Sequence, residues 1–275
     1  MIIDSHQHFW KYDPVRDAWI DDTMQVIQGD FFPEHLEPVL KANGVDGCVA
    51  VQADQSPAET AFLLSLADKY DFIKGVVGWV DLRADDIEAQ LLAYAGTSRL
   101  KGFRHIVQGE RDERFLLGEA FCRGIGALAK HGFTYDLLVF PKQLDATVTF
   151  VKQFPEQRLV VDHLAKPYFK TGDIDEWAAQ MRSIAQSPNV YCKLSGLVTE
   201  ADWQHWEPAH FIPYLDVALE AFGANRLMFG SDWPVCLLAA EYQEVKHLVT
   251  DYISRLSAAE QQQIMGGNAI AFYQL

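Results

Sequence analysis

Short runs of apolar and β-branched residues recur along the chain at intervals of roughly 25 to 45 residues, each followed by a turn or cap signal and then by apolar positions at helical spacing. Eight runs can be traced: Met1 to His6, Gly47 to Ala53, Phe72 to Val80, Leu100 to Val107, Phe133 to Phe140, Arg158 to His163, Val190 to Ser195 and Arg226 to Ser231. Most are continuously hydrophobic rather than alternating, which predicts strands covered by helices on one side and by a packed interior on the other. Between them lie helix signals. Ser56-Pro57-Ala58-Glu59 combines an N-cap, a proline at the first helical position and a capping-box glutamate ahead of Ala61 to Ala67. Pro33 opens a helix ending near Gly44, Asp85 caps one reaching Gly96, Pro141 opens one ending near Pro155, and Asp173 caps Ile174 to Ala185.

Parallel strands need crossover connections of this size, so eight strands alternating with helices predict an α/β fold, a TIM-type (β/α)8 barrel in a single domain over residues 1–275. A doubly wound open sheet is the alternative. Neither GxGxxG nor GxxxxGK[ST] follows the first run, so its nucleotide-binding forms lack support. No linker, low-complexity tract or repeat divides the chain.

Composition narrows the partners. No stretch of about 18 apolar residues occurs, and Asp4, His6 and His8 interrupt the first run before it reaches signal-peptide length, so a cytoplasmic protein without membrane contact is expected. Cys48, Cys122, Cys192 and Cys236 form no CxxC pair, as expected of reduced thiols. A formal charge of −15 without a basic cluster argues against nucleic acid. Homo-oligomerisation stays open.

In a barrel of this kind, functional groups gather at the C-terminal ends of the strands. His6-Gln7-His8, Gln52, Trp79, Arg104-His105, Asp162-His163, Lys193 and Ser231-Asp232-Trp233 fall there. Histidines at i and i+2 on a strand point to one side, so His6 and His8 can converge, and Asp232 on the neighbouring eighth strand supplies a carboxylate for a divalent metal. His163 is an acid–base or hydrogen-bonding candidate, and Asp232 is a candidate general base with or without a metal. Arg104 and Lys193 are charged residues inside apolar strands and must either pair with acids or face the pocket, of which the pocket is the favoured reading for both. Trp79, Trp203 and Trp233 are candidates for its wall, with core packing as the competing reading, and Trp10 and Tyr12 for its mouth.

Five motifs then become specific together: DSHQHFW, LKGFRH, DHLAKP, CKLSGLVTEADW and LMFGSDWPV. In this order they resemble the amidohydrolase superfamily, amidohydrolase-2 branch, and within it the sugar-lactone hydrolases acting on L-fuconolactone and related aldonolactones. The resemblance spans the whole chain. It implies that His6, His8, His163 and Asp232 are the catalytic set, and that water attacks a lactone carbonyl while Asp232 moves the proton to the leaving oxygen. It implies oxyanion stabilisation by His163, Lys193, the first-strand histidines or a metal. Gln52, Trp79, Arg104, His105, Lys193, Trp203 and Trp233 are the substrate-binding candidates. Metal-dependent relatives carry a further ligand on the fourth or fifth strand, whereas the fifth strand here reads Tyr135-Asp136-Leu137, with Asp136 nearest. Two readings follow: one weakly held divalent ion, zinc, on His6, His8 and Asp232, or metal-independent hydrolysis. Arg104 is the one clear pocket arginine, which favours a neutral sugar lactone over a pyrone dicarboxylate or muconolactone. A metal-dependent aromatic-acid decarboxylase and a non-catalytic sugar-binding barrel are the competing classes. Ser195-Gly196 lacks the GxSxG elbow of a serine hydrolase.

Overall fold

The eight apolar runs form one sheet of parallel strands in the order β1 to β8, in a computed structural model that describes all 275 residues. The strands are β1 (Ile3–Gln7), β2 (Gly47–Val51), β3 (Ile73–Gly78), β4 (Leu100–His105), β5 (Thr134–Leu137), β6 (Leu159–Val161), β7 (Val190–Leu194) and β8 (Leu227–Phe229). Between β1 and β5 run α1 (Pro33–Ala42), α2 (Pro57–Ala67), α3 (Ile87–Ala93) and α4 (Glu119–His131). Then come α5 (Leu144–Gln153), α6 (Asp175–Ala185), the single turn α7 (Leu197–Glu200) and α8 (Pro208–Phe222). After β8 follow α9 (Tyr242–Ile253), α10 (Ala258–Gln262) and α11 (Asn268–Tyr273). The sheet closes on itself above β8: the His8 amide donates to the Trp233 carbonyl (2.7 Å) and the Asp232 amide to the His6 carbonyl (2.8 Å). The result is the expected TIM-type barrel. None of its helices is long and apolar enough to cross a membrane.

Local signals account for most boundaries. Ser56 caps α2 by accepting from the Glu59 amide at 3.2 Å, with Pro57 at the first helical position. Three helices begin later than their sequence signals. The Asp86 carboxylate, one residue after the expected cap at Asp85, accepts from the Gln90 side chain (2.7 Å) rather than from a backbone amide. Pro141 opens a short 3-10 turn, because Gln143 folds back to accept from the Phe140 amide (2.9 Å), and the α-helix starts at Leu144. At the sixth helix Asp173 stays in the loop and α6 begins at Asp175.

The strands look uniformly apolar yet have two faces. Cys48 and Ala50 pack outward with the helix layer, while Val49 and Val51 join Ile3, Val77, Val160 and Met228 inside the barrel. Phe272 and Tyr273 of α11 pack into this interior from below. Moving up toward the strand ends, the interior turns from apolar to ionic and then to imidazole and carboxylate.

Candidate active site

The ionic layer consists of Arg104 (β4), Asp136 (β5), Asp162 (after β6) and Lys193 (β7), all buried. Lys193 Nζ donates to Asp136 (2.6 Å), lies 3.0 Å from Asp162 Oδ1 and sits 3.1 Å from His6 Nδ1. Arg104 Nη1 donates to Asp162 Oδ2 at 3.1 Å and lies 3.3 Å from His6 Nε2, while its other nitrogen donates to the Gln52 carbonyl. Two buried cations thus face two buried carboxylates, as low-dielectric burial requires. Burial outweighs Lys193 at Asp136 and lifts that carboxyl to about 6. At Asp162 burial also pushes upward, but Lys193, His6 and Arg104 together hold it well below the usual carboxylate range.

Above this layer, three imidazoles surround one carboxylate oxygen. Asp232 Oδ1 lies 3.4 Å from His8 Nε2, 3.8 Å from His163 Nε2 and 3.9 Å from His6 Nε2, and His6 and His8 meet through their Nε2 atoms at 3.2 Å. The i, i+2 spacing on β1 therefore converges as the sequence implies. His8 Nδ1 lies 2.7 Å from the Val51 carbonyl, which can only accept, so Nδ1 carries a proton and Nε2 is the nitrogen turned toward Asp232. Burial holds His6 well below the usual imidazole value and brings His163 down to about 4, so both are neutral at pH 7. Burial works against ionised Asp232, yet His163, the His8 contact and His6 keep it below the usual carboxylate range.

The backbone is strained where these side chains are held. His163 (φ 53°) and Asp232 (φ 59°) are left-handed, and the left-handed stretch runs on through Leu164, Ala165 and Lys166. Such residues cost roughly 1–2 kcal/mol each outside glycine and persist only where the surroundings hold them. Gly196, itself left-handed (φ 64°), is part of that hold, because a Cβ there would lie 2.7 Å from the His163 ring. The preceding Ser195 Oγ is 2.8 Å from His163 Nδ1.

His8, Arg104, His163 and Asp232 line one cavity of about 330 Å³ at this end of the barrel. The other expected binding residues do not line it. Gln52 and Lys193 are fully buried around Arg104 and His6, where they hold those groups in place. His105 points to the opposite face of β4, bonded to Glu110 (2.7 Å) and stacked on Phe115. Trp233 is buried against Phe9 and Phe31. Trp203 donates to the Thr199 carbonyl (2.8 Å), and Trp79 is held through its backbone by the Thr60 hydroxyl. The cavity walls are instead Trp10, Trp19, Ile106, Leu138, Phe140 and Val235, with Lys166 as a second cation. Of the two aromatic residues expected at the mouth, Trp10 lines the cavity and Tyr12 does not. Trp19 and Lys166 sit in irregular segments where no periodicity indicates facing.

A family model described as Amidohydrolase matches residues 3–275. The chain belongs to the amidohydrolase family. It is 46% identical to L-fucono-1,5-lactonase of Burkholderia multivorans over 99% of this chain and 96% of that protein. It is 36% identical to L-fucono-1,5-lactonase of Burkholderia ambifaria over 99% of this chain and 95% of that one. A crystal structure of an amidohydrolase from Burkholderia multivorans with bound zinc matches with TM-score 0.97 at 44% identity, covering 100% of this chain and 99% of that chain.

The residues fit a divalent metal ion. Donors about 2.1 Å from a tetrahedral ion lie roughly 3.4 Å apart, and the mutual distances of His6 Nε2, His8 Nε2 and Asp232 Oδ1 are 3.2, 3.4 and 3.9 Å. Asp136, the nearest fifth-strand candidate, is tied below to Lys193 and to the Tyr273 hydroxyl (2.7 Å), so the set offers three ligands and an open position. The Arg104 guanidinium beside His6 Nε2 opposes tight binding by its fixed charge.

Proposed function

We propose that this chain hydrolyses a neutral sugar lactone of the L-fucono-1,5-lactone kind to its aldonate. One observation carries the reading: Asp232, His163, His8 and Arg104 converge on a single cavity whose remaining walls are largely aromatic and aliphatic, as suits the C–H faces of a sugar ring. Asp232, ionised and facing neutral His6 and His163, takes a proton from the attacking water. As the new C–O bond forms and the ring C–O bond breaks, the same carboxyl returns that proton to the leaving ring oxygen. With the Ser195 hydroxyl donating to Nδ1, His163 presents Nε2–H to the oxyanion. A preorganised donor of this kind is worth roughly 3–4 kcal/mol. Arg104, fixed by Asp162 and Gln52, adds positive potential at the same place. A divalent ion, zinc by its donor set, would be held by His6, His8 and Asp232 and would polarise the carbonyl as a Lewis acid.

The cavity favours a neutral substrate over a dicarboxylate. Each of its cations carries its own acid, Asp162 for Arg104 at 3.1 Å and Glu200 for Lys166 at 2.7 Å, which leaves no unpaired cation for a second carboxylate. The four cysteines are unbridged, and we place the reaction in the reducing cytoplasm. The test is acid release from a panel containing L-fuconolactone, other aldonolactones, a pyrone dicarboxylate and an aromatic carboxylate. Turnover of an aldonolactone, with a loss of about 10²- to 10⁴-fold in kcat for Asp232→Asn, is expected. Silence across the aldonolactones, or full activity of Asp232→Asn, would refute it.

A further inference from the structure

The cation at the cavity wall that takes no part in the proposed chemistry is Lys166. It ends the left-handed turn that begins at His163, with φ of 53°, 53°, 57° and 51° over the four residues, closed by the Lys166 amide donating to the His163 carbonyl (2.7 Å). A 3-10-type turn has three residues per revolution, so residues i and i+3 share a side, and His163 and Lys166 do line the same cavity. The turn is pinned from behind by Trp177, whose indole donates to the Leu164 carbonyl at 2.8 Å. The ammonium is anchored as well: Glu200, the last residue of α7, holds Nζ at 2.7 Å, and the Phe140 ring lies beneath it at 5.4 Å. Glu200 itself does not line the cavity. A lysine ammonium has three N–H donors. One goes to Glu200 and one face rests on the ring, which leaves donor capacity for a ligand while the pair adds no net charge.

We propose that Lys166 is a specificity-determining residue that donates to a ring hydroxyl of the substrate, and that Glu200 is the residue positioning it. The inference rests on the lactone-hydrolysis reading and deepens it. A flexible lysine would offer a diffuse positive charge suited to any anion; one clamped between a carboxylate and an aromatic face offers directed donors to a neutral oxygen. The hydroxyl it reads belongs to the part of the ring beyond the carbonyl, because the carbonyl end is already served by Asp232 and His163.

The test compares kcat and KM of the wild type, Lys166→Met and Glu200→Gln on L-fuconolactone and on δ-valerolactone, which has the same ring size and no hydroxyls. For Lys166→Met the ratio of kcat/KM between the two substrates is expected to fall about 10- to 100-fold, the worth of a hydrogen bond to a charged donor. The loss should appear in KM for the hydroxylated lactone rather than in kcat. Glu200→Gln should shift the ratio in the same direction by a smaller factor, with Glu200→Asp restoring part of it. A ratio unchanged within about twofold in both variants, or equal losses on both substrates, overturns the assignment to Lys166 while leaving lactone hydrolysis intact. If the wild type is silent toward both lactones, hydrolysis itself is wrong and this inference falls with it.

Discussion

Replacing Lys193 by methionine tests the ionic layer beneath the catalytic groups, and the size of the effect follows from which partner each carboxylate keeps. Asp162 retains Arg104 at 3.1 Å, but Asp136 keeps only the Tyr273 hydroxyl at 2.7 Å. In the wild type, Asp136 releases its proton at about 6 because Lys193, the strongest influence favouring its charged form, partly offsets burial. Without that ammonium the carboxyl holds its proton to higher pH, while in either unfolded chain it ionises near 3.9. Between pH 6 and the new value, the folded variant therefore binds one proton more than its unfolded state, and the folded wild type does not. The linkage sign is then fixed: the variant loses about 1.4 kcal/mol of stability per pH unit relative to the wild type. From pH 6 to pH 8 the stability difference should widen by up to ~2.7 kcal/mol, roughly 5–10 °C in Tm for a chain near this size. Denaturant or thermal melts of both proteins at pH 6, 7 and 8 measure it. A gap constant across this range, or one that narrows toward pH 8, would refute the pairing, since a packing defect has no such pH dependence. The double variant Lys193→Met/Asp136→Asn should lose the pH-dependent part and keep only the constant one.

Two further outcomes follow from the imidazole layer. Gly196→Ala should lower kcat at least about tenfold and cost roughly 1 kcal/mol of stability, because the residue is left-handed and the new Cβ would press into the His163 ring at 2.7 Å; unchanged kcat with a normal melt would mean that His163 does not act as placed. The pH profile of kcat/KM should keep its plateau through pH 6 and fall as the pH drops through about 4, where burial-lowered His163 takes up a proton and the resulting imidazolium, 3.8 Å from Asp232, weakens that carboxylate as the base; an acid limb near 6.5 would show that a solvated imidazole controls the rate.

How much of this was legible beforehand depends on what kind of order each residue sits in. The barrel was readable because continuous apolar runs and capped helices alternate, and the convergence of His6 and His8 because strand periodicity is two. Strand-end position, however, says nothing about facing: Arg104 and His105 are neighbours, and one reaches the cavity while the other stacks outward on Phe115. Trp233 next to Asp232 fails as a wall residue for the same reason. The harder cases lie where the chain leaves regular dihedrals, since the left-handed turn from His163 to Lys166 contains no glycine to announce it. Burial logic carried further than periodicity did. A lysine in the middle of an apolar strand had to be paired or functional, and Lys193 is paired, with two carboxylates that the sequence shows only as isolated aspartates on β5 and after β6. The same logic explains how a chain of formal charge −15 can keep a cavity lined by cations without attracting anions at large. Each cation is neutralised locally by a carboxylate behind it, so the field that a substrate meets is set by those pairs and not by the charge of the whole molecule.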